Sequence, residues 1–293
     1  VAGADSAGAD SAGAVGLVLA RPARLLGAEP FFMEFIAGIE ERLSERGLSV
    51  LLHVVATHDA ETAAYRRWAA SRMVDAVLLV NRTAEDPRLA VLREVGLPAV
   101  VIGEPSADLP VPSVRTDNAG PVEEALAHLL ELGHRRIARI TGPRTLLHTR
   151  ARTDALVRGC QAVGIEPVVL EGDYSEESGA KLTTALLAGE DRPTAILYDN
   201  DVMAVAGLNA AKELGVAVPA ELSLVAWDDS TLCRLASPAL TTMSVDVHQF
   251  GILVADSVLE LIDGLPVADR WSPTATLVHR GSSAPAPNHR GEP

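Results

Sequence analysis

The sequence predicts an α/β fold made of two doubly wound parallel-sheet subdomains. Three observations carry that expectation. Short apolar runs alternate with segments of helical periodicity along almost the whole chain. The apolar runs are continuous rather than alternating, as in strands whose two faces are both covered by helices. The strand–helix beat also falls into two consecutive series of similar size, so two sheets are expected rather than one.

The first series begins with "AVGLVLA" (14–20), a buried strand. In "PFFMEFIAGIEERLSERG" (30–47), Phe32, Phe35, Ile36, Ile39 and Leu43 share one helical face. Pro30 suits the first turn of that helix and Gly47 its C-cap. A strand over 48–55, a helix near 59–72, a strand over 75–80, a short helix over 86–95 and a strand over 98–103 follow. The second series runs helix 119–133, strand 135–142, helix 149–163, strand 167–173, helix 175–188, strand 194–199, helix 201–214 and strand 222–228. A long helix ending near 264 and a last strand over 274–280 complete it. The repeated "ADSAG" of residues 1–13 reads as a flexible linker or arm, and residues 282–293 as a disordered tail.

Composition narrows the function. The 293 residues carry a net charge of −14, and the longest basic stretch is "GHRR" (Gly133–Arg136), so the chain is not expected to present a nucleic-acid surface of its own. No run approaches the roughly eighteen apolar residues of a membrane span, and the start lacks a signal-peptide pattern, so a soluble, cytoplasmic protein without a membrane partner is expected. Cys160 and Cys233 show no metal-ligand spacing and read as buried free thiols. Motifs for a nucleophile elbow, a zinc site, a P-loop or a dinucleotide fold are absent, so neither catalysis, a metal nor a cofactor is expected.

The polar residues gather where a doubly wound sheet binds ligands, beyond the carboxyl ends of its strands. "LYDND" (197–201) and "VAWDD" (225–229) both follow predicted strands. Asp201 reads as the N-cap of the next helix. Asn200 offers an amide donor and acceptor, suited either to a hydroxylated ligand or to a turn. Of Asp228 and Asp229, one can brace the loop and the other accept ligand hydroxyls; scaffold and ligand contact stay equally open. Arg152 opens a predicted helix with a rigid fork of donors, whereas Arg158 reads as a solvated face. His148, just ahead, reads as a surface residue. Phe32 fits the buried helix stripe, while Phe31 lies off it and could stack on a flat ligand. Trp227 ends a strand beside Asp228 and reads as core or pocket wall, core first.

These motifs together resemble the effector-binding core of the LacI/GalR family of transcription regulators, which shares its fold with periplasmic sugar-binding proteins. The resemblance spans Val15 to Gly281 and rests on "PFFMEFIAGIEERLSERGLSVLL", "DAVLLV", "VRTDNAG", "AHLLELGHRRIARITGP", "PTAILYDNDVMAVAGLNAAKELGVAVPAELSLVAWDDS" and "SPALTTMSVDVHQFG". It implies a periplasmic binding protein-like fold of type I with three crossovers. One subdomain would hold 14–118 plus 246–263, and the other 119–245 plus 264–281. It also implies a small effector, a sugar or sugar derivative, in the cleft between them. The positions matching the family's effector contacts are Phe31, Phe32, Asp117, His148, Arg152, Asn200 and Asp228. Ala155 and Leu156 replace the Gly and Phe usual after the arginine, Glu29 replaces an Asn, and the loop over 21–29 is longer than usual. The family's N-terminal helix-turn-helix is not in this sequence. The resemblance therefore implies the sensing and homodimerising core of a repressor that reaches operator DNA only through that separate domain. The alternative readings are a solute-binding protein of a sugar transport system or an enzyme on a similar scaffold.

Overall fold

A computed structural model describes residues 11–23, 29–103 and 111–287. The parts of the expected arm, loop and tail at 1–10, 24–28 and 288–293 lie outside the described residues. The chain divides into two compact units. The first takes Phe32–Thr116 and Val247–Pro273 together with the first strand; the second takes Asp117–Asp246 and the chain from Thr274. Beyond residues 29–31, which group with the second unit, the chain passes between units after Thr116, Asp246 and Pro273.

The sheet of the first unit has the order β11-β5-β4-β3-β1-β2 and is parallel throughout. Its strands are β1 (Ala14–Ala20), β2 (Ser49–Val55), β3 (Ala76–Leu79), β4 (Ala99–Ile102), β5 (Ser113–Arg115) and β11 (Arg270–Trp271). Helices α1 (Pro30–Ser44), α2 (His58–Ser71), α3 (Pro87–Val95) and α9 (Val247–Ile262) belong to the same unit. Local chemistry sets the helix ends. Thr57 caps α2 by accepting the Ala60 N–H at 3.2 Å, and Asp86 caps α3, with Pro87 in its first turn and Gly96 left-handed at its end. Helices α1 and α9 approach too closely for side chains at their crossing. A Cβ at Gly38 would collide with the His248 carbonyl oxygen, and one at Gly251 with that of Phe35.

Two expectations are corrected here. Residues 264–273 belong to the first unit rather than the second, because Arg270 and Trp271 add β11 beside β5. Residues 11–13 are also tied down rather than free. The Asp75 carboxylate accepts the Ser11 hydroxyl at 3.0 Å and the backbone N–H groups of Ala12 and Gly13 at 2.7 and 2.9 Å.

The sheet of the second unit repeats the pattern, in the order β12-β10-β9-β8-β6-β7. Its strands are β6 (Ile137–Thr141), β7 (Val168–Glu171), β8 (Ala195–Tyr198), β9 (Ser223–Trp227), β10 (Thr241–Ser244) and β12 (Thr276–Val278), of which only β12 runs antiparallel. The helices are α4 (Gly120–Glu131), α5 (Leu147–Ala162), α6 (Glu176–Leu187), α7 (Asp201–Glu213) and the short α8 (Thr231–Leu235). Each central strand feeds two cores. Ile196 and Tyr198 pack with Met203 and Leu208 of α7, while Ala195 and Leu197 pack with Val122 of α4 and Leu156 of α5. A strand buried on both faces has no polar side to show, which accounts for the continuous apolar runs.

The tail expected to be disordered from 282 is built into this unit as far as Ala286. The Ser282 hydroxyl donates to the Leu224 carbonyl at 2.6 Å and accepts the Thr241 N–H at 2.8 Å. Farther along, the His134 ring bonds the Ala284 carbonyl, and the Ala286 N–H donates to Leu132. Cys160 and Cys233 are both buried and free. No described helix is long and apolar enough to cross a membrane.

Candidate functional site

In the second unit the strand order reverses around β6, whose neighbours are β7 and β8. The crevice at the carboxyl ends of strands at such a switch point is where open α/β sheets bind ligands. Four segments meet there: the turn after β6, the loop after β7, the β8–α7 junction and the loop after β9.

Asp199, the residue after β8, ties the first of these to the third. It is buried, and its Oδ1 accepts from Nε of Arg139 at 3.0 Å and also from Nη2. Its Oδ2 accepts the Gly142 N–H at 2.9 Å. Arg139 sits in the middle of β6 and is itself 2% exposed, so this is a fully buried two-point ion pair. The remaining nitrogen, Nη1, has no hydrogen-bond partner among the described residues; Arg139 and Asp199 also line a small cavity with Leu197, Val225, Trp227 and Met243.

Asn200 comes next. Its Oδ1 accepts the Met203 N–H at 2.9 Å, and its backbone is extended (φ −151°, ψ 168°). Asn200, not Asp201, is therefore the N-cap of α7. Its Nδ2 donates to the Tyr174 carbonyl at 3.0 Å, linking β8–α7 to the loop after β7. One amide N–H of Asn200 remains beyond these bonds. Asp201 is buried, its Oδ1 accepts the Val202 N–H, and burial raises its carboxyl above the ordinary range.

Tyr174 closes the ring of loops. It has a left-handed backbone (φ 69°), and its ring lies so close to Gly142 that any Cβ there would collide with it. Its hydroxyl is 2.9 Å from Nε2 of His148 and 3.4 Å from the Thr149 hydroxyl, at the start of α5. Burial, then the Asp199 charge, pushes the Tyr174 phenol up to about 12, so it stays a neutral hydroxyl.

Arg152 lies one turn into α5. Its Nε donates to Oδ1 of Asn118 at 3.0 Å, and its guanidinium carbon lies 3.7 Å from the centroid of the Trp227 ring. The fork is thus fixed from the side and from below. Among the described residues Nη1 and Nη2 hydrogen-bond to nothing. Burial lowers the guanidinium pKa, and the carboxylates of Asp199 and Asp228 oppose that shift.

Asp228 follows β9 with a left-handed backbone (φ 70°), a conformation that Asp tolerates better than most residues but that still costs energy. Its neighbour Asp229 locks the loop through a two-point bond to Arg280, with Nη1 and Nη2 at 2.8 and 2.7 Å. The Asp228 carboxyl itself accepts no hydrogen bond among the described residues. Burial, with the nearby Asp201 charge, pushes it up to about 7, while Arg152 pulls the other way.

The other expected site residues lie as follows. Asp117 accepts the N–H groups of Ala119 and Gly120 at 3.0 Å each, at the start of α4. Phe32 is buried on α1 with the Arg21 guanidinium 4.3 Å from its ring centroid. Phe31 is half-buried in the first turn of α1. His148, expected at the surface, is half-buried and bonded to Tyr174. Sequence reasoning placed Asp199 with Asn200 and Asp201 at a ligand-facing strand end but gave it no partner, favoured core over pocket wall for Trp227, and did not single out Arg139, Asn118 or Tyr174; the one available signal for the ion pair was an arginine inside the otherwise apolar "IARIT".

Two α/β units with parallel sheets, and polar groups gathered at the strand ends of the second, define a protein of the periplasmic-binding type. The comparisons with known proteins agree. The family of periplasmic binding protein-like domains matches residues 126–283. The HTH-type transcriptional regulator AglR of Rhizobium meliloti (strain 1021) is 33% identical over 94% of this chain and 79% of its own length. A LacI family transcriptional regulator from Bifidobacterium animalis subsp. lactis superposes with a TM-score of 0.85 at 36% identity, covering 94% of this chain and 99% of that one. A transcriptional regulator CelR–cellobiose complex superposes with a TM-score of 0.83 at 30% identity, covering 92% and 84%. The chain belongs to the LacI family of transcriptional regulators. These relatives are regulators, not enzymes.

Proposed function

We propose that the chain is the sensing core of a sugar-responsive repressor and that the carboxyl edge of the second sheet holds the effector. One observation carries the reading: Arg152 and Asp228 are each fixed in place, yet the Nη atoms of one and the carboxyl of the other have no partner among the described residues. A donor fork within electrostatic reach of a carboxylate acceptor suits vicinal hydroxyls, which both give and take hydrogen bonds. Asn200 offers its remaining N–H, His148 and Tyr174 flank the site, Asp117 supports α4, and Phe31 supplies an aromatic face. Cellobiose in the related CelR complex makes a neutral disaccharide the first class to test.

Effector binding would regulate only through unequal affinity for two states of the protein. We propose that this change reaches operator DNA through a helix-turn-helix domain outside this chain and through a homodimer, in the cytoplasm. A dimeric lac repressor, 27% identical, superposes with a TM-score of 0.82 and supports the dimer. A thermal-shift screen with cellobiose, maltose, lactose, monosaccharides and sugar phosphates tests the site. A ligand at about a hundredfold excess over its Kd adds about 2.7 kcal/mol to stability. A shift with a neutral sugar that disappears in Arg152→Ala is the expected result; a shift only with phosphates, or one that survives Arg152→Ala, refutes it.

A further inference from the structure

We infer that the buried Arg139–Asp199 ion pair is a positioning device for the effector site, setting its geometry and its field, rather than a stabilising contact of the core. The inference rests on the reading that Arg152, Asn200 and Asp228 meet the effector.

The argument starts from location. Arg139 lies on β6 and Asp199 directly follows β8, the two strands that flank the switch point, and the pair spans 60 residues of sequence. Asp199 immediately precedes Asn200, and its second oxygen holds Gly142, the residue after β6. Gly142 in turn has room for nothing but the Tyr174 ring, and Tyr174 reaches both His148 and Asn200. One carboxylate therefore fixes three ligand-facing segments relative to one another.

Energetics point the same way. Two charges taken out of water cost several kcal/mol each, and buried pairs replaced by apolar groups of similar volume are often neutral or more stable. Stability alone gives a chain little reason to keep such a pair under an otherwise apolar sheet. A site that needs fixed dipoles does give one. Asp199 also contributes to the field felt by the groups above it, favouring the charged form of Arg152 and the protonated forms of Tyr174 and Asp228.

The test uses the full chain with both charges removed at matched size, Arg139→Met with Asp199→Asn, in which the amide oxygen still accepts the Gly142 N–H. Thermal unfolding, calorimetric titration with cellobiose, maltose and lactose, and carboxyl-carbon NMR of Asp228 (assigned with Asp228→Asn) are measured together. The expected result is a retained Tm, an affinity at least tenfold weaker for the sugar that wild type binds, and an Asp228 midpoint below its wild-type value near 7. A variant with wild-type Tm, affinity and Asp228 midpoint overturns the inference. If wild type binds no sugar of the panel, the effector reading fails, while the Asp228 midpoint still decides whether the pair sets the field of the site. Should the double variant not fold, Arg139→Lys keeps both charges but loses the two-point grip. Its affinity should fall severalfold at unchanged Tm, and unchanged affinity would overturn the inference.

Discussion

The guanidinium carbon of Arg152 lies over the Trp227 ring, 3.7 Å from its centroid, while its Nε is held by Asn118. The aromatic ring does two jobs. It carries the arginine, and it is itself buried in the core between α4, α5 and the sheet. A guanidinium resting on an indole gains about 0.5–2 kcal/mol, more when water is kept away. Trp227→Leu should therefore keep the apolar packing in part but let the fork wander. The expected outcome is sugar affinity reduced by about 1–2 kcal/mol at modest cost in Tm, read by calorimetry. Affinity equal to wild type would show that Asn118 alone orients the arginine.

The acid opposite should make binding pH-dependent. The Asp228 carboxyl is raised from its ordinary value to about 7, mainly by burial and by the Asp201 charge. A folded-state pKa above the unfolded one means that the native protein binds the extra proton. This group's contribution to stability is therefore greatest below about pH 4 and declines as pH rises toward 7. Asp228→Asn should flatten that part of the stability–pH curve. Ligand hydroxyls donating to the carboxylate favour its ionised form, so sugar affinity should rise between pH 6 and 8 and lose that dependence in Asp228→Asn. A pH-independent affinity in wild type would exclude the carboxylate as an acceptor.

The first unit offers a test that owes nothing to the ligand. Helices α1 and α9 cross where Gly38 and Gly251 leave room only for backbone, and each Cβ would meet a carbonyl oxygen of the other helix. Alanine normally favours a helix over glycine by roughly 1 kcal/mol. Here overpacking should win: Gly251→Ala is expected to destabilise by about 1–3 kcal/mol, measured by urea unfolding. A neutral or stabilised variant would mean that the crossing can open at little cost.

What the sequence revealed depended on the length over which a signal accumulates. β1, β3, β6, β8 and β9 and their helices were legible because burial on two faces leaves long apolar runs and clear helical stripes. β11 is two residues long and β5 three, so neither builds a pattern; pairing with each other and with β4 is what makes them strands. The site divides in the same manner. Asp228 could be placed because it follows a strand, and Arg152 because it stands early in a predicted helix at the position matching the family's arginine. Arg139 read as an isolated polar residue, since its partner lies 60 positions away and no local spacing connects them. The cap of α7 was assigned one residue late because Asn and Asp are equally good caps, and only the extended backbone at Asn200 decides between them.

The segment expected to be a disordered tail gives the last test. Nothing in "GSSAPAP" forms a periodic pattern, yet Ser282 is fully buried. Its hydroxyl bridges the Leu224 carbonyl and the Thr241 N–H, while its own carbonyl accepts the Leu224 N–H. Two strands, β9 and β10, thus begin from one side chain. Ser283 adds a hydroxyl contact with Thr241 and lies 3.0 Å from His128. Ser282→Ala removes the bridge and leaves buried backbone groups unsatisfied, which costs about 1–3 kcal/mol per group. The expected outcome is a clear drop in Tm together with faster amide exchange at Thr241, where the N–H loses its only acceptor in the bridge. Ser282→Thr, which restores a hydroxyl, should recover part of the loss if the added methyl fits. Stability unchanged in Ser282→Ala would show that the segment rests on the sheet without holding it together.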